Sequence, residues 1–479
     1  MTLASVLVLV SIPFDLIPLL RGPAPYPPEW QWAFRPEGPA HALLAAAACA
    51  TALLALLLAS GGTWALEHPT ATRRALVAGA VVLGCGLQVG LLAREPGHPL
   101  GTLLSRARSR SFTSYHSVAI SPEARDPLAF VRQHAQKLPD LGQWAKHAAT
   151  HPPGPVLYYR AALAVCEASP TLTNTLLAAA EVPDREFRPP ATRAARAAAL
   201  LGALLLGLLG ALTAWPVAHL AMALGIEAIA AARLAALWAL LPGPALMIPQ
   251  FDHALALPVV AATTLLLAAG RGAGVWRAAV AGAIGGVAIF TSYGSAVFLG
   301  IGGAAALAAS GAGLVRRPAF LAGLAGGVAA LTAFGLPAVL GHHPVRALST
   351  ALSIHREAFT APRSYGLWLL FNPLDLTLFL GVPVAVAGLL LLSRSIRRAT
   401  GGLALSALDR FRLATFAGVG LLVLLGVTRG EVGRIWIPLM PLLLIASLAG
   451  PTAPGRKDAL LHGTLLAALT LLIGSYWIV

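Results

Sequence analysis

Charge is scarce in this sequence. Only 11% of its 479 residues are Asp, Glu, Lys or Arg, where a soluble chain carries about 25%. That scarcity excludes an ordinary water-soluble globular protein. Cysteine is scarce too. Cys49, Cys85 and Cys166 lie in apolar segments at spacings that match no metal site, and they read as core packing. No P-loop, no dinucleotide-binding glycine fingerprint and no HExxH is present, so nucleotide hydrolysis and zinc proteolysis have no support. Alternation of apolar and polar residues over stretches of about ten is missing as well, which argues against a β-barrel.

What the chain has instead is apolar length. It is 57% hydrophobic, with a mean hydropathy of +0.76. Thirteen apolar runs of membrane-crossing length can be counted, from 3–20 and 40–60 through 230–248, 295–313 and 435–449 to 459–478. The expected fold is all-α: a polytopic transmembrane helix bundle of about 13 spans, with a large external loop carrying juxtamembrane helices. Its divisions are 1–93, with three transmembrane helices; 94–196, the external loop; and 197–479, a bundle of about ten helices. The first run lacks a basic n-region and a small-residue cleavage site, and reads as a retained helix.

The net charge is +15. In a chain of this class that excess reads as topogenic loop charge, and no nucleic-acid partner is expected. With the N-terminus inside, fourteen basic residues fall in inside loops and seven in short outside loops; the other thirteen lie in 94–196. This bias supports a cytoplasmic N-terminus and an external 94–196, and the expected location is the plasma (inner) membrane. The seven outside arginines then need a reason other than topology. Polar irregular backbone and charge at membrane depth are tolerated where they line a wet cavity.

The outside loops therefore supply the candidate site. RGPAPYPPEWQWAFRPEGP, 21–39, sets Glu29 among Trp30, Trp32 and Phe34, as an interfacial belt, a stacking surface for carbohydrate or a docked loop. Arg106, Arg108 and Arg110, spaced two apart, suit lipid headgroups or a phosphate. Asp126 stands directly before Pro127 and a helical pattern, as an N-cap or as a catalytic carboxylate. His151, stiffened by Pro152 and Pro153, is either part of a plain helix-start signal or a well-held donor for a phosphate or sugar oxygen, and a short amphipathic helix follows it. Asp252 opens an apolar helix, again as an N-cap or an acid. The segment 341–375 carries His355, Arg356, Arg363 and Tyr365. TRGEVGRIWIPLMP, 428–441, packs Arg429, Glu431 and Arg434 into one tight turn. These residues pair among themselves, or the arginines grip a lipid phosphate with their planar forks.

The layout and the motif THPPGPVLYY at 150–159 resemble the GT-C superfamily of membrane glycosyltransferases, which includes protein O-mannosyltransferases and the aminoarabinose transferases of lipid A. The resemblance covers roughly 75–450. It implies an enzyme that moves a sugar from a polyprenyl-phosphate-linked donor to an acceptor entering from outside, with a carboxylate base in the first large outside loop. THPPG matches the Pro-Pro motif closing that loop, and Asp252 the acid after a later Pro-bearing helix. The chain departs from the pattern at SRSFTSYHSVA, where Ser111 and Phe112 stand in place of the expected acidic pair before Tyr115. Candidate bases are then Asp126, Glu29 and Asp252. Candidate substrate contacts are His151, Tyr115, His116, Arg356, Arg363, Arg429, Glu431 and Arg434. Membrane lipids are the remaining expected partners, and no cofactor or metal site is indicated. Rival readings are a transporter or flippase of a lipid-linked saccharide, an O-antigen ligase or polymerase, and a non-catalytic scaffold.

Overall fold

The structure is a computed structural model and describes residues 2–37, 43–95, 97–181, 192–311, 316–450 and 453–478. The start of the apolar run at 40–60 and the stretch 182–191 of the external segment lie outside the described residues. The fold is 78% helix. The described strands are a two-residue antiparallel pair, Ala33 with Ile478 and Phe34 with Trp477.

Among the described residues, five helices are long and apolar enough to cross a membrane: Pro69–Leu92, Arg193–Ala223, Phe251–Gly270, Arg317–Val339 and Arg456–Tyr476. Tyr365–Leu380 and Val382–Thr400, bent by 113° at Gly381, make a sixth if taken as one span. Together with outward-facing Leu3, Val82, Leu370 and Leu424, these helices make the chain a helical membrane protein. The thirteen expected spans are corrected to five or six. Hydropathy counts apolar residues, whereas crossing needs unbroken helix. Proline breaks several runs. The run at 230–248 is cut into Ala228–Trp238 and Pro242–Leu246, and the run at 435–449 into a 3-10 turn, Ile437–Leu439, and Met440–Leu448. Others, such as Leu44–Ala59, Trp276–Thr291 and Ser295–Ser310, stop at 16 residues. At 1.5 Å per residue such a helix reaches about 24 Å, short of the ~30 Å hydrocarbon layer.

Residues 97–181 fold as a stack of short helices that cap one end of the bundle. Asp126 and Pro127 start Pro127–Trp144, the Asp126 carboxylate accepting from the Leu128 and Ala129 amides. Ser169 and Pro170 likewise start Pro170–Ala179. The cap has its own core, in which Phe130, Leu138 and Tyr159 meet Phe251 of the bundle and Ala347 and Ala351 of Pro344–His355. Of the three arginines at 106–110, two make contacts within the cap. Arg106 is buried, donates to Glu95 at 2.7 Å and lies over the Phe112 ring, and Arg110 lies over Trp144.

At the opposite end, two arginines expected to be topogenic also tie elements together. Arg233 donates to the Ser60 hydroxyl and carbonyl and to the Pro454 carbonyl. Arg412 donates to the carbonyls of Ala446 and Ala449, where Met440–Leu448 ends, and pairs with Asp409 at 3.2 Å.

Candidate functional site

Beneath the cap, where Phe251–Gly270 begins, the bundle forms a partly open polar cavity of about 250 Å³, its charged groups set in largely apolar walls. Five stretches line it: His147 to His151 from the cap, Asp252, Ser292 to Phe298, Ala351 to Arg363, and Leu422 to Trp436. The cavity thus draws together five stretches far apart in sequence, the start of the THPPG motif among them.

The turn at 428–434 carries the charge. Gly430 and Glu431 both take a left-handed backbone, φ +94 and +58, and Glu431 does so without being glycine, a costly conformation that local packing must hold. A Cβ on Gly430 would meet Trp30 and the Arg363 guanidinium at 2.9 and 2.7 Å, so glycine is required there. The turn is pinned from below by Tyr365–Leu380. Asn372 donates to the Thr428 carbonyl at 2.7 Å, and Asp375 accepts from the Gly433 amide at 2.7 Å and from the Trp32 indole at 2.9 Å. These two buried polar residues were missed in sequence reasoning. Their three-residue spacing in FNPLD, placing both on one helix face, was the available signal.

Within the turn, Arg434 donates to Glu431 at 2.8 Å, and its Nε lies 3.9 Å from an Asp252 oxygen. That Nε–H is buried and makes no hydrogen bond. A donor and a carboxylate therefore face one another without closing a bond, and each is available to an incoming polar group. Burial works against the Arg434 charge, but Glu431 and then Asp252 outweigh it and hold its pKa above the usual arginine value. Arg363 pairs more loosely with Glu431, at 3.7 Å, and lies over the Trp30 ring. Arg429 pairs with neither Glu431 nor Asp252. It donates to the carbonyls of Gly426, Thr360 and Arg363 and so holds two loops together at the rim. Three arginines and two carboxylates line the cavity, leaving one positive charge in excess.

The histidines add no charge. Burial pushes His147 down to about 4 and His151 down to about 3, with Arg434 acting in the same direction on both. His355 is lowered by burial and then by Arg363. His151 faces the His147 carbonyl through Nδ1 at 2.8 Å. A carbonyl only accepts, so neutral His151 carries its proton on Nδ1 and presents Nε2 as an acceptor. This reverses the donor role expected from the sequence. Tyr115 backs the site, edge-on to His151 and Phe251; burial and then Asp252 raise its pKa well above the usual tyrosine range.

Other candidates stand elsewhere. Asp126 is exposed and occupied as an N-cap. Glu29 is buried, but its oxygens accept from the Ser364 amide at 2.9 Å and the Trp368 indole at 2.7 Å, which makes it the pin that docks the first loop. The aromatic cluster beside it is the docked surface, with Trp32 buried. His116 is buried against the Ala195 carbonyl at 2.7 Å, and Arg356 is exposed outside the cavity. Asp252 is not an N-cap: the cap position is Gln250, and Asp252 sits in the first turn facing the cavity.

Comparison with protein-family models, curated proteins and solved structures found no match. The site is therefore read from its own geometry. Two further features belong to it. Tyr293 lines the cavity with a buried hydroxyl that has no hydrogen-bond partner. Next to the cavity, Ser295–Ser310 also lines an apolar cleft of about 500 Å³. Val297 and Phe298 face the polar cavity, while Ala296, Leu299 and Gly300 face the cleft. Among the described residues no group of three or more His, Cys, Asp or Glu is arranged to hold a metal.

Proposed function

We propose that this chain is a membrane glycosyltransferase of GT-C type, which takes a sugar from a polyprenyl-phosphate-linked donor and passes it to an acceptor hydroxyl. The observation that carries this reading is the charge pattern of the cavity. One excess positive charge suits the single negative charge of a sugar phosphodiester, and an unpartnered arginine N–H faces the carboxylate that would serve as base. The adjacent apolar cleft supports a donor with a hydrocarbon tail.

In this reading the acceptor oxygen attacks the anomeric carbon, and its proton passes to the Asp252 carboxylate. The bond from the anomeric carbon to the phosphate oxygen breaks, and its electron pair stays on the lipid phosphate. The phosphate gains charge as it leaves, and Arg434, with the Tyr293 hydroxyl, faces that charge between largely apolar walls. His151 Nε2 orients the acceptor molecule by accepting from a second hydroxyl beside the attacking one. Asp252 replaces Asp126 and Glu29 as the proposed base, because those two carboxylates are spent on backbone amides and an indole.

The test is sugar transfer by purified protein in lipid nanodiscs, with radiolabelled polyprenyl-phosphate sugars. Asp252→Asn keeps the shape but cannot take the proton, and turnover should fall about 10²-fold or more with donor binding retained. Full turnover by Asp252→Asn would remove the assigned base. Donor translocation across the membrane without transfer, by wild type, would favour a flippase.

A further inference from the structure

A second pocket, of about 210 Å³, opens at the end of the bundle opposite the polar cavity. The path of the chain fixes this placement: from Arg434 in the cavity it runs through Met440–Leu448 to reach Leu448 at the second pocket. Ala387, Leu390, Leu391 and Leu448 give the pocket apolar walls, and Arg394, Ser447, Asp458 and His462 its polar groups. Two of these are buried without partners. Ser447 is 0% exposed and its hydroxyl makes no hydrogen bond; His462 is 6% exposed and its Nε2 makes none. Unpartnered buried polar atoms are costly, and two lining one pocket mark it as built for a polar occupant.

The tautomer says which kind. His462 Nδ1 lies 2.7 Å from the Asp458 carbonyl, which only accepts. Neutral His462 therefore holds its proton on Nδ1, and the unpartnered Nε2 is an acceptor. With the Asp458 carboxylate and the Ser447 oxygen it forms a set of acceptors, which suits a group with several N–H donors. Arg394 is exposed at the mouth, while neighbouring Arg398 and Arg412 are both paired with Asp409. A primary ammonium at the acceptors, a phosphate at Arg394 and chains along the leucines describe one ligand.

We propose that this pocket binds the headgroup of an ammonium-bearing phospholipid of the phosphatidylethanolamine class, with Asp458, His462 and Ser447 receiving the ammonium and Arg394 the phosphate. The volume is several times the ~30 Å³ share of a water, which is room for a headgroup rather than for solvent alone. The site does not depend on the reading of the polar cavity.

Native mass spectrometry tests it. Wild-type protein in detergent is supplied with equal phosphatidylethanolamine and phosphatidylglycerol of matched chains, and the ethanolamine lipid should be retained in preference. Asp458→Asn and Arg394→Ala change exposed side chains and should melt like wild type. The first should lower ethanolamine-lipid retention roughly tenfold, the scale of one charge-assisted contact, and abolish the preference. The second should weaken both lipids. Equal retention of the two lipids by wild type, or unchanged retention in Asp458→Asn, would overturn the proposal. Displacement by equimolar O-phosphoethanolamine would move the site from a lipid to a soluble metabolite and overturn it equally.

Discussion

At the scale of single residues, the polar cavity separates side chains that carry structure from those left open to a ligand. Arg429 spends its guanidinium on three loop carbonyls, whereas Arg434 keeps a buried Nε–H without an acceptor. Arg434→Lys therefore preserves the charge beside Glu431 and Asp252 but loses the fork. Donor affinity, read by titration calorimetry, should fall about tenfold with little change in melting. Unchanged affinity would make Arg434 a structural partner of Glu431 alone. Tyr293 gives a cleaner separation. Its hydroxyl has no partner to lose, so Tyr293→Phe should not destabilise the fold and should raise the melting temperature slightly. A drop in donor affinity in that variant would be a loss of ligand contact, and no drop would remove Tyr293 from the site. Residue types and neighbours made part of this legible: Arg429, Glu431 and Arg434 in one turn announced a charged cluster, and Asp126 before Pro127 announced a cap. Which of these faced a cavity was not legible, because that depends on Asp252 and Arg434 meeting across 182 positions of chain.

At the scale of elements, the THPPG motif has a packing role beside its chemical one. Pro152 and Pro153 are buried at the start of Gly154–Ala168. A Cβ on Gly154 would stand 2.3 Å from the Phe290 carbonyl oxygen and 3.1 Å from the Thr291 Cα. Both are backbone atoms at the end of Trp276–Thr291, so nothing there can rotate away. Glycine is what lets the cap helix seat on the bundle, and the seating fixes His151, three residues earlier. Gly154→Ala should cost about 1–3 kcal/mol through overpacking and displace His151 from the cavity, lowering the denaturation midpoint and turnover together. Gly323→Ala, where no atom beyond its own helical turn lies within 4 Å, is the control; it should leave turnover unchanged and should not lower the midpoint. A Gly154→Ala protein as stable as wild type would mean that this helix is not seated as described. The helix itself was legible from VLYYRAALAVC and its prolines. Its partner was not, since hydropathy does not say which helix end a glycine must touch.

At the scale of the whole molecule, composition settled the class, and continuity of helix settled what composition could not. Pro242, Pro438 and Pro441 interrupt runs that are apolar throughout, and only the backbone reveals that an apolar run is two short helices. The molecule divides instead into a bundle and a cap, and their response to acid should differ. His116 and His134 lie in the cap, each 1% exposed. Burial pushes them down to about 4 and about 3, with the neighbouring His342 acting the same way on His134. An unfolded histidine titrates near 6.5. Between the two values the unfolded cap takes up protons that the folded cap refuses, so the stability these residues contribute is complete above about pH 6.5 and is lost as the pH falls towards 4. Each costs about 1.4 kcal/mol per pH unit within that window. Hydrogen exchange of the protein in nanodiscs at pH 7 and pH 4.5 should show 99–181 opening at the lower pH while Phe251–Gly270 and Arg456–Tyr476 stay protected. Replacing His134 with Gln, which carries no proton-dependent charge, should shift cap opening to lower pH. Equal protection of cap and bundle at both pH values would mean that these histidines are not held neutral by the fold.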